Sequence, residues 1–232
     1  MTVKMTKSFQ GRFVTGSFPG TGRTTWRVTQ QSRSVRTEVT NLVNLPAVLV
    51  TGPPASGKTV LARAVARSLN AALFDQDVLT RPLTAVVAGL LGTDDLDDPR
   101  LALSTRAARY ETLFDAAADN LAIGNPVVLV APFTAERRDP LALRRVADRF
   151  AAFGGKTTLV WLRATPDLLR ERMSGRSAAR DRAKLADLAA FLDRVDLAPP
   201  TVPHLAVSAA AAPADQVRLV RDHLDAAGPP RQ

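Results

Sequence analysis

The sequence predicts an α/β fold of three layers, a parallel five-stranded sheet with helices on both faces. Three observations carry that expectation. Short apolar runs alternate with stretches of helical period along most of the 232 residues. One run, Val127-Val-Leu-Val-Ala131, is apolar throughout, the mark of a strand covered on both faces. And Ala47-Val-Leu-Val-Thr-Gly-Pro-Pro-Ala-Ser-Gly-Lys-Thr-Val60 reads as a strand, a glycine-rich loop and the start of a helix.

The elements follow in order. Val48 to Thr51 is the first strand. After the loop, Leu61, Val65 and Leu69 fall on one helix face while Arg63 and Arg67 face away, and Asn70 is a stop signal. Ala72 to Asp75 is a short second strand, and residues 78–91 are helical. Gly92 to Pro99 is a turn-rich link whose Asp94, Asp95, Asp97 and Asp98 read as a solvated acidic loop rather than a metal site. Leu101 to Ile123 is the longest helical pattern, with Leu103, Ala107, Tyr110, Phe114, Ala117 and Leu121 on one face; Gly124-Asn125-Pro126 ends it. The strand Val127–Ala131 leads into a loop, Pro132 to Asp139, and a helix from Leu141 to Phe153 closed by Gly154-Gly155. Thr157 to Leu162 is the fourth strand. Pro166 to Met173 is a helix opened by Thr165 as N-cap. Arg176 to Leu192 is charged with helical tendency, His204 to Ser208 is the last strand, and Pro213 to Ala227 the closing helix. Strands separated by helices call for right-handed parallel crossovers.

The loop carries the chemistry. Gly52-x4-Gly57-Lys58-Thr59 is the phosphate-binding P-loop pattern in the strand–loop–helix setting it requires. Gly52 and Gly57 let the backbone curl so that the stretch Pro53–Val60 wraps phosphate oxygens, with the N–H groups of Ala55, Ser56 and the residues after them pointing inward. The helix starting near Lys58 adds the positive end of its dipole. Lys58 brings a cation to the outer phosphates, and the Thr59 hydroxyl is placed to hold Mg²⁺. The expected ligand is a nucleoside triphosphate, ATP with Mg²⁺. Gly20-Thr-Gly-Arg-Thr-Thr25 imitates this loop but lacks the Lys, the spacing and the preceding strand.

Composition excludes several alternatives. With no cysteine there is neither a disulfide framework nor a thiolate metal site, and the two histidines, His204 and His223, are far apart. No apolar run reaches the ~18 residues of a membrane span, and the N-terminus has no apolar signal core, so the expected location is cytoplasmic. The net charge of +9 sits mostly in residues 1–45, where seven Lys and Arg oppose Glu38 alone. That segment, 1–44, is expected to be a basic, disordered tail, the only place where nucleic acid would bind; 45–228 is the folded domain.

Asp75 and Asp77 stand at the end of the second strand. If the strand stayed extended, both carboxylates would project to one face, at the sheet edge that lines the ligand crevice. A carboxylate near Mg²⁺ and another that orients or deprotonates an acceptor hydroxyl are what phosphoryl transfer requires.

With these residues in hand, the chain resembles the small P-loop kinases: gluconate kinase, shikimate kinase, adenylylsulfate kinase, the zeta toxins and related antibiotic phosphotransferases. The likeness rests on Gly52–Thr59, on Asp75-Gln76-Asp77 and on Val127–Asp139 with Leu143-Arg144, and spans about 45 to 225. It implies strand order 2-3-1-4-5, Lys58 and Thr59 on phosphate and Mg²⁺, Asp75 behind the metal and Asp77 as base. It also implies a lid after the fourth strand, at about 172–185, with Arg176 and Arg180 stabilising the transferring charge and Gly175 as hinge. Gln76 departs from the small residue usual between the aspartates. The His-Phe lid element of gluconate kinases is absent, and no Asp ends the third strand at Ala131. Arg81, Arg106, Arg109 and Tyr110 occupy the acceptor region of such kinases, and Arg137 and Arg138 are similar candidates; Arg81, Arg109 and Arg137, with Asp77, are the expected substrate contacts. His204 reads as structural. The reaction expected is transfer of the γ-phosphoryl group of ATP to a hydroxyl of a sugar acid, metabolite or antibiotic, by a monomer or homodimer. A toxin-like or nucleic-acid-end kinase and a nucleotide-switch ATPase are the alternatives.

Overall fold

The computed structural model describes residues 44–95, 98–174 and 195–226. Strands β1 (Leu45–Thr51), β2 (Ala72–Asp75), β3 (Val127–Val130), β4 (Gly155–Arg163) and β5 (Leu205–Ser208) form one sheet in the order 2-3-1-4-5. Every neighbouring pair is parallel. Between them run α1 (Lys58–Leu69), α2 (Gln76–Leu90), α3 (Pro99–Ala122), α4 (Pro140–Ala151), α5 (Pro166–Ser174) and α6 (Pro213–Ala226). The predicted fold class and strand order are both present, and no helix among the described residues is long and apolar enough to cross a membrane.

The three layers follow from the two-residue period of the strands. Ala47 and Leu49 of β1 point into one apolar cluster with Val127, Leu129 and Leu159, closed by Phe114 and Leu121 of α3 and Phe150 of α4. Val48 and Val50 point the other way, to Val128, Val130, Val160 and Val207, closed by Leu61 and Val65 of α1 and Val220 of α6. Burying each such side chain contributes about 1.5–3 kcal/mol, so a strand buried on both faces is stabilised twice over. That is why β1, β3 and β4 occupy the middle of the sheet.

Short-range chemistry sets the helix ends. Asn70 closes α1 in the left-handed conformation, its N–H reaching the Ala66 and Arg67 carbonyls. Asp98-Pro99, Asp139-Pro140 and Thr165-Pro166 open α3, α4 and α5 with one device, a side-chain acceptor followed by a residue that needs no donor. This gives Asp98 of the acidic link its role. It accepts from the Arg100 N–H at 2.8 Å and pairs with the Arg100 guanidinium, which brings its carboxyl down to about 2.

Helix α3 departs from the expected face. Leu103 is 87 % exposed and Ala107 is exposed too, while Leu101 and Thr105 are buried in their place. A helix of 24 residues serves two neighbours here. It meets α2 as well as the sheet, so a single apolar stripe does not run its whole length.

Candidate active site

Sheet register assembles the site. Val50, Val130 and Asp75 align across β1, β3 and β2, so the loop after β1 and the carboxylate ending β2 leave the same edge. The Thr51 hydroxyl donates to the Pro132 carbonyl at 2.7 Å and ties the end of β1 to the loop after β3.

The phosphate loop is curled by three positive φ angles, at Gly52 (154°), Ala55 (60°) and Gly57 (100°). At Gly52 the backbone lies so close to β4 that a Cβ would stand 2.7 Å from the Leu162 carbonyl oxygen. Lys58 arches back over its own loop, Nζ donating to the Pro53 carbonyl at 2.8 Å. Gly57 caps α1 without a side-chain acceptor, which leaves the positive end of the helix facing the loop. Ser56 is buried, and its hydroxyl has no hydrogen-bond partner among the described residues. From outside, Arg172 of α5 clamps the loop by donating to the Ser56 carbonyl, while its other nitrogen holds the Ala209 carbonyl at 2.7 Å. Arg172, at the start of the segment expected to form the lid, is thus bound to the phosphate loop itself.

Asp75 serves two purposes. Its Oδ1 caps α2 by accepting from the Asp77 N–H at 3.1 Å, and its Oδ2 accepts the Thr59 hydroxyl proton at 2.9 Å. A hydroxyl backed by a carboxylate at the mouth of a phosphate loop is a hard-oxygen donor set of the kind Mg²⁺ takes. The residues present therefore fit that ion.

Asp77 is not placed as a continuing strand would have placed it. Helix α2 begins at Gln76, so Asp75 and Asp77 do not share a strand face; one caps the helix and the other rides its first turn. Gln76 turns inward and is buried. The Asp77 carboxylate is 71 % exposed and held by Arg109 Nη2 at 2.7 Å, while Arg109 Nε donates to the Thr80 hydroxyl at 3.0 Å. Arg81, one turn further along α2, is exposed. Arg106 donates to the Thr134 hydroxyl in the loop after β3.

Arg137 and Arg138 depart from the expected acceptor role. The Arg137 side chain is 6 % exposed and pairs with Asp196, whose carbonyl it also reaches at 3.3 Å. Arg138 holds the same carboxylate and the Pro199 carbonyl, at 2.5 and 2.9 Å. Arg138 first, with help from the Ala198 N–H and Arg137, keeps the Asp196 carboxyl below its ordinary range. Both arginines bind this stretch of chain to the loop after β3. His204 is likewise structural, edge-on to Trp161 with Nδ1 2.8 Å from the Val202 carbonyl. Arg176, Arg180 and the Gly175 hinge lie outside the described residues.

Sequence reading missed Glu136. It is 8 % exposed, and its Oε2 has no hydrogen-bond partner among the described residues. Burial raises its pKa, against which its own backbone N–H and then Arg106 and Arg145 act only in part. The Tyr110 side chain is largely buried as well; burial, followed by the Glu136 charge, pushes its hydroxyl up to about 12. Nothing in Thr-Ala-Glu-Arg-Arg marks this Glu as the buried one. The sign of its effect on stability is definite. At low pH the carboxyl is protonated folded and unfolded, and no penalty arises. As pH rises past the ordinary Glu value the unfolded chain ionises first, so stability falls until the raised folded pKa is passed. Glu136→Gln is expected to raise the thermal midpoint more at pH 8 than at pH 5, as read by melting curves across that range.

A family model described as an AAA domain matches residues 48–198, from the first strand through the Arg137–Asp196 tie. The chain belongs to the AAA domain family. This AAA domain is similar in fold to two solved structures. One is a candidate kinase of Chloroflexus aurantiacus, 23% identical, with a TM-score of 0.56 and coverage of 80% of this chain and 99% of that one. The other is a sugar kinase of Janibacter sp., 18% identical, with a TM-score of 0.53 and coverage of 78% and 95%. Comparison with curated proteins gives no match.

Proposed function

We propose that this AAA domain is an ATP-dependent kinase that transfers the γ-phosphoryl group to a hydroxyl of a small molecule. The observation that carries the reading is one cluster at one sheet edge. A curled phosphate loop with Lys58 has a hydroxyl–carboxylate pair, Thr59 and Asp75, at its mouth, and a second, exposed carboxylate, Asp77, is steered by Arg109. A nucleotide switch has no need of Asp77 held in this way.

In this reading the loop amides and Lys58 bind the triphosphate, and Arg172 holds the loop in its curl. Mg²⁺, held by Thr59 with Asp75 behind it, would neutralise charge on the phosphate oxygens. Asp77 takes the proton from the acceptor hydroxyl as that oxygen bonds to the γ-phosphorus, and ADP departs with the bridging oxygen. Arg109 fixes the carboxylate that does this, and Arg81 lies one turn away for a substrate contact. Arg176 and Arg180 complete the proposal as charge stabilisers from the lid. The buried pairing of Arg137 with Asp196 argues for a structural tie, and we leave it out of the acceptor site.

The test is acceptor-dependent ADP release by the full chain with Mg-ATP, over sugar acids, polyols and hydroxyl-bearing antibiotics. One or more acceptors should raise ADP release well above the rate with water alone. Full-rate hydrolysis with no acceptor would replace the kinase by an ATPase.

A further inference from the structure

Helix α2 is built inside out. The side chains it buries are Gln76, Thr80, Thr84 and Ala88. Thr80 and Thr84 satisfy their hydroxyls by donating to the Gln76 and Thr80 carbonyls one turn back, at 2.7 and 2.9 Å. The outer side carries the apolar residues instead. Leu83, Val86 and Leu90 are 72, 61 and 83 % exposed, and Leu79 and Val78 are open as well. A soluble helix normally shows the opposite arrangement.

Spacing makes the exposed set specific. Leu79, Leu83, Val86 and Leu90 are separated by four, three and four residues, the a/d alternation of a coiled-coil seam. At 100° per residue they lie within a narrow stripe. After Arg81 the helix contains no charged residue, so nothing on its flanks selects a charged partner or repels an identical one. At the Leu79 end the stripe borders a cavity of about 160 Å³, walled by Leu73 and Phe74 of edge strand β2 together with Val78 and Leu79, with Arg63 and Asp75 at its polar rim. A receiving hollow therefore lies beside the projecting leucines. The exposed apolar side chains amount to on the order of 600 Å² per protomer, the upper end of what a monomer leaves uncovered and the lower end of what each half of a specific interface buries.

We infer that the outer face of α2 is a homodimer seam, its occupant the same helix of a second copy. A stripe with heptad spacing, no charge from Leu83 to Leu90 and a hollow at its Leu79 end can pack against a second copy of itself, which is what a two-fold interface requires. The seam itself, Leu79 to Leu90, stands apart from the kinase reading, since none of its stripe residues binds nucleotide, metal or acceptor in that reading.

Two measurements on the full chain test it. Sedimentation equilibrium from micromolar to tenth-millimolar protein should give a dimer, and Leu83→Glu should give a monomer with an unchanged far-UV circular dichroism spectrum and a thermal midpoint that no longer rises with protein concentration. Because the chain has no cysteine, single replacements report directly. Leu83→Cys or Val86→Cys, in the middle of the seam, should oxidise to a covalent dimer, while Asp222→Cys on α6 should not. A wild-type monomer throughout the range overturns the inference. So does a dimer that survives Leu83→Glu, or equal cross-linking from all three cysteines. A stripe covered by the protein's own chain or by another protein would show as the monomer outcome.

Discussion

Asp77→Asn is expected to lower kcat by a factor of about 10²–10⁴, the usual contribution of a positioned general base, while the Kd for Mg-ATP stays within a factor of about two. The geometry explains the split. Asp77 is paired with Arg109, and its carboxylate faces solvent, where on the kinase reading an acceptor would come. Asparagine has nearly the same shape and keeps a carbonyl oxygen for Arg109, so the helix start and the guanidinium should stay in place. Only the capacity to take a proton is removed. Arg109→Lys should act more mildly, because an ammonium can pair with the carboxylate but cannot also hold Thr80 in the same plane. Calorimetry with a non-hydrolysable ATP analogue and initial rates with a productive acceptor separate binding from turnover. Unchanged kcat in Asp77→Asn would remove Asp77 from the chemistry.

The sequence was most legible where a residue's role depends on its chain neighbours. Gly52–Thr59, the apolar strands, Asn70 and Thr165 each act within a few residues of themselves, and each is where the pattern put it. Reading failed where partners are distant in the chain. Arg137 looks like a free loop cation until Asp196, 59 residues on, is brought beside it. Glu136 looks like a solvated acid until the loop turns it inward. Asp77 was misplaced for a subtler reason: Asp75 is a strong N-cap, and its bond to the Asp77 N–H starts α2 one residue after the strand ends. Helix α2 shows the limit of periodicity. Its apolar stripe is plain in the sequence, but which side meets the rest of the molecule was decided by the threonines on the other side, packed where α2 meets α3.

The tightness of the loop against β4 sets the other large effect. Gly52→Ala is expected to destabilise the fold by about 3 kcal/mol, combining an unfavourable backbone conformation with overpacking. It should also weaken ATP binding at least tenfold. At φ 154° an L side chain is poorly accommodated, and the added methyl would stand 2.7 Å from the Leu162 carbonyl oxygen and 3.3 Å from its Cβ. Neither can give way cheaply. Leu162 lies in the interior of β4, parallel to β1 on one side and β5 on the other, with its side chain buried beside Val160 and Val207. The strain would pass instead to the loop, opening the curl that Pro53, Ala55 and Gly57 maintain. Gly57→Ala provides the contrast. At φ 100° its backbone is strained for an L residue too, but its Cβ would meet only the flexible end of Arg172 at 3.3 Å, which can swing aside. The stability loss should therefore be smaller than at Gly52 and accompanied by a loosened loop clamp and weaker nucleotide binding. Denaturant titration and analogue binding on the two variants measure these terms side by side. A Gly52→Ala protein as stable as the parent would mean that the loop does not press on β4 as described.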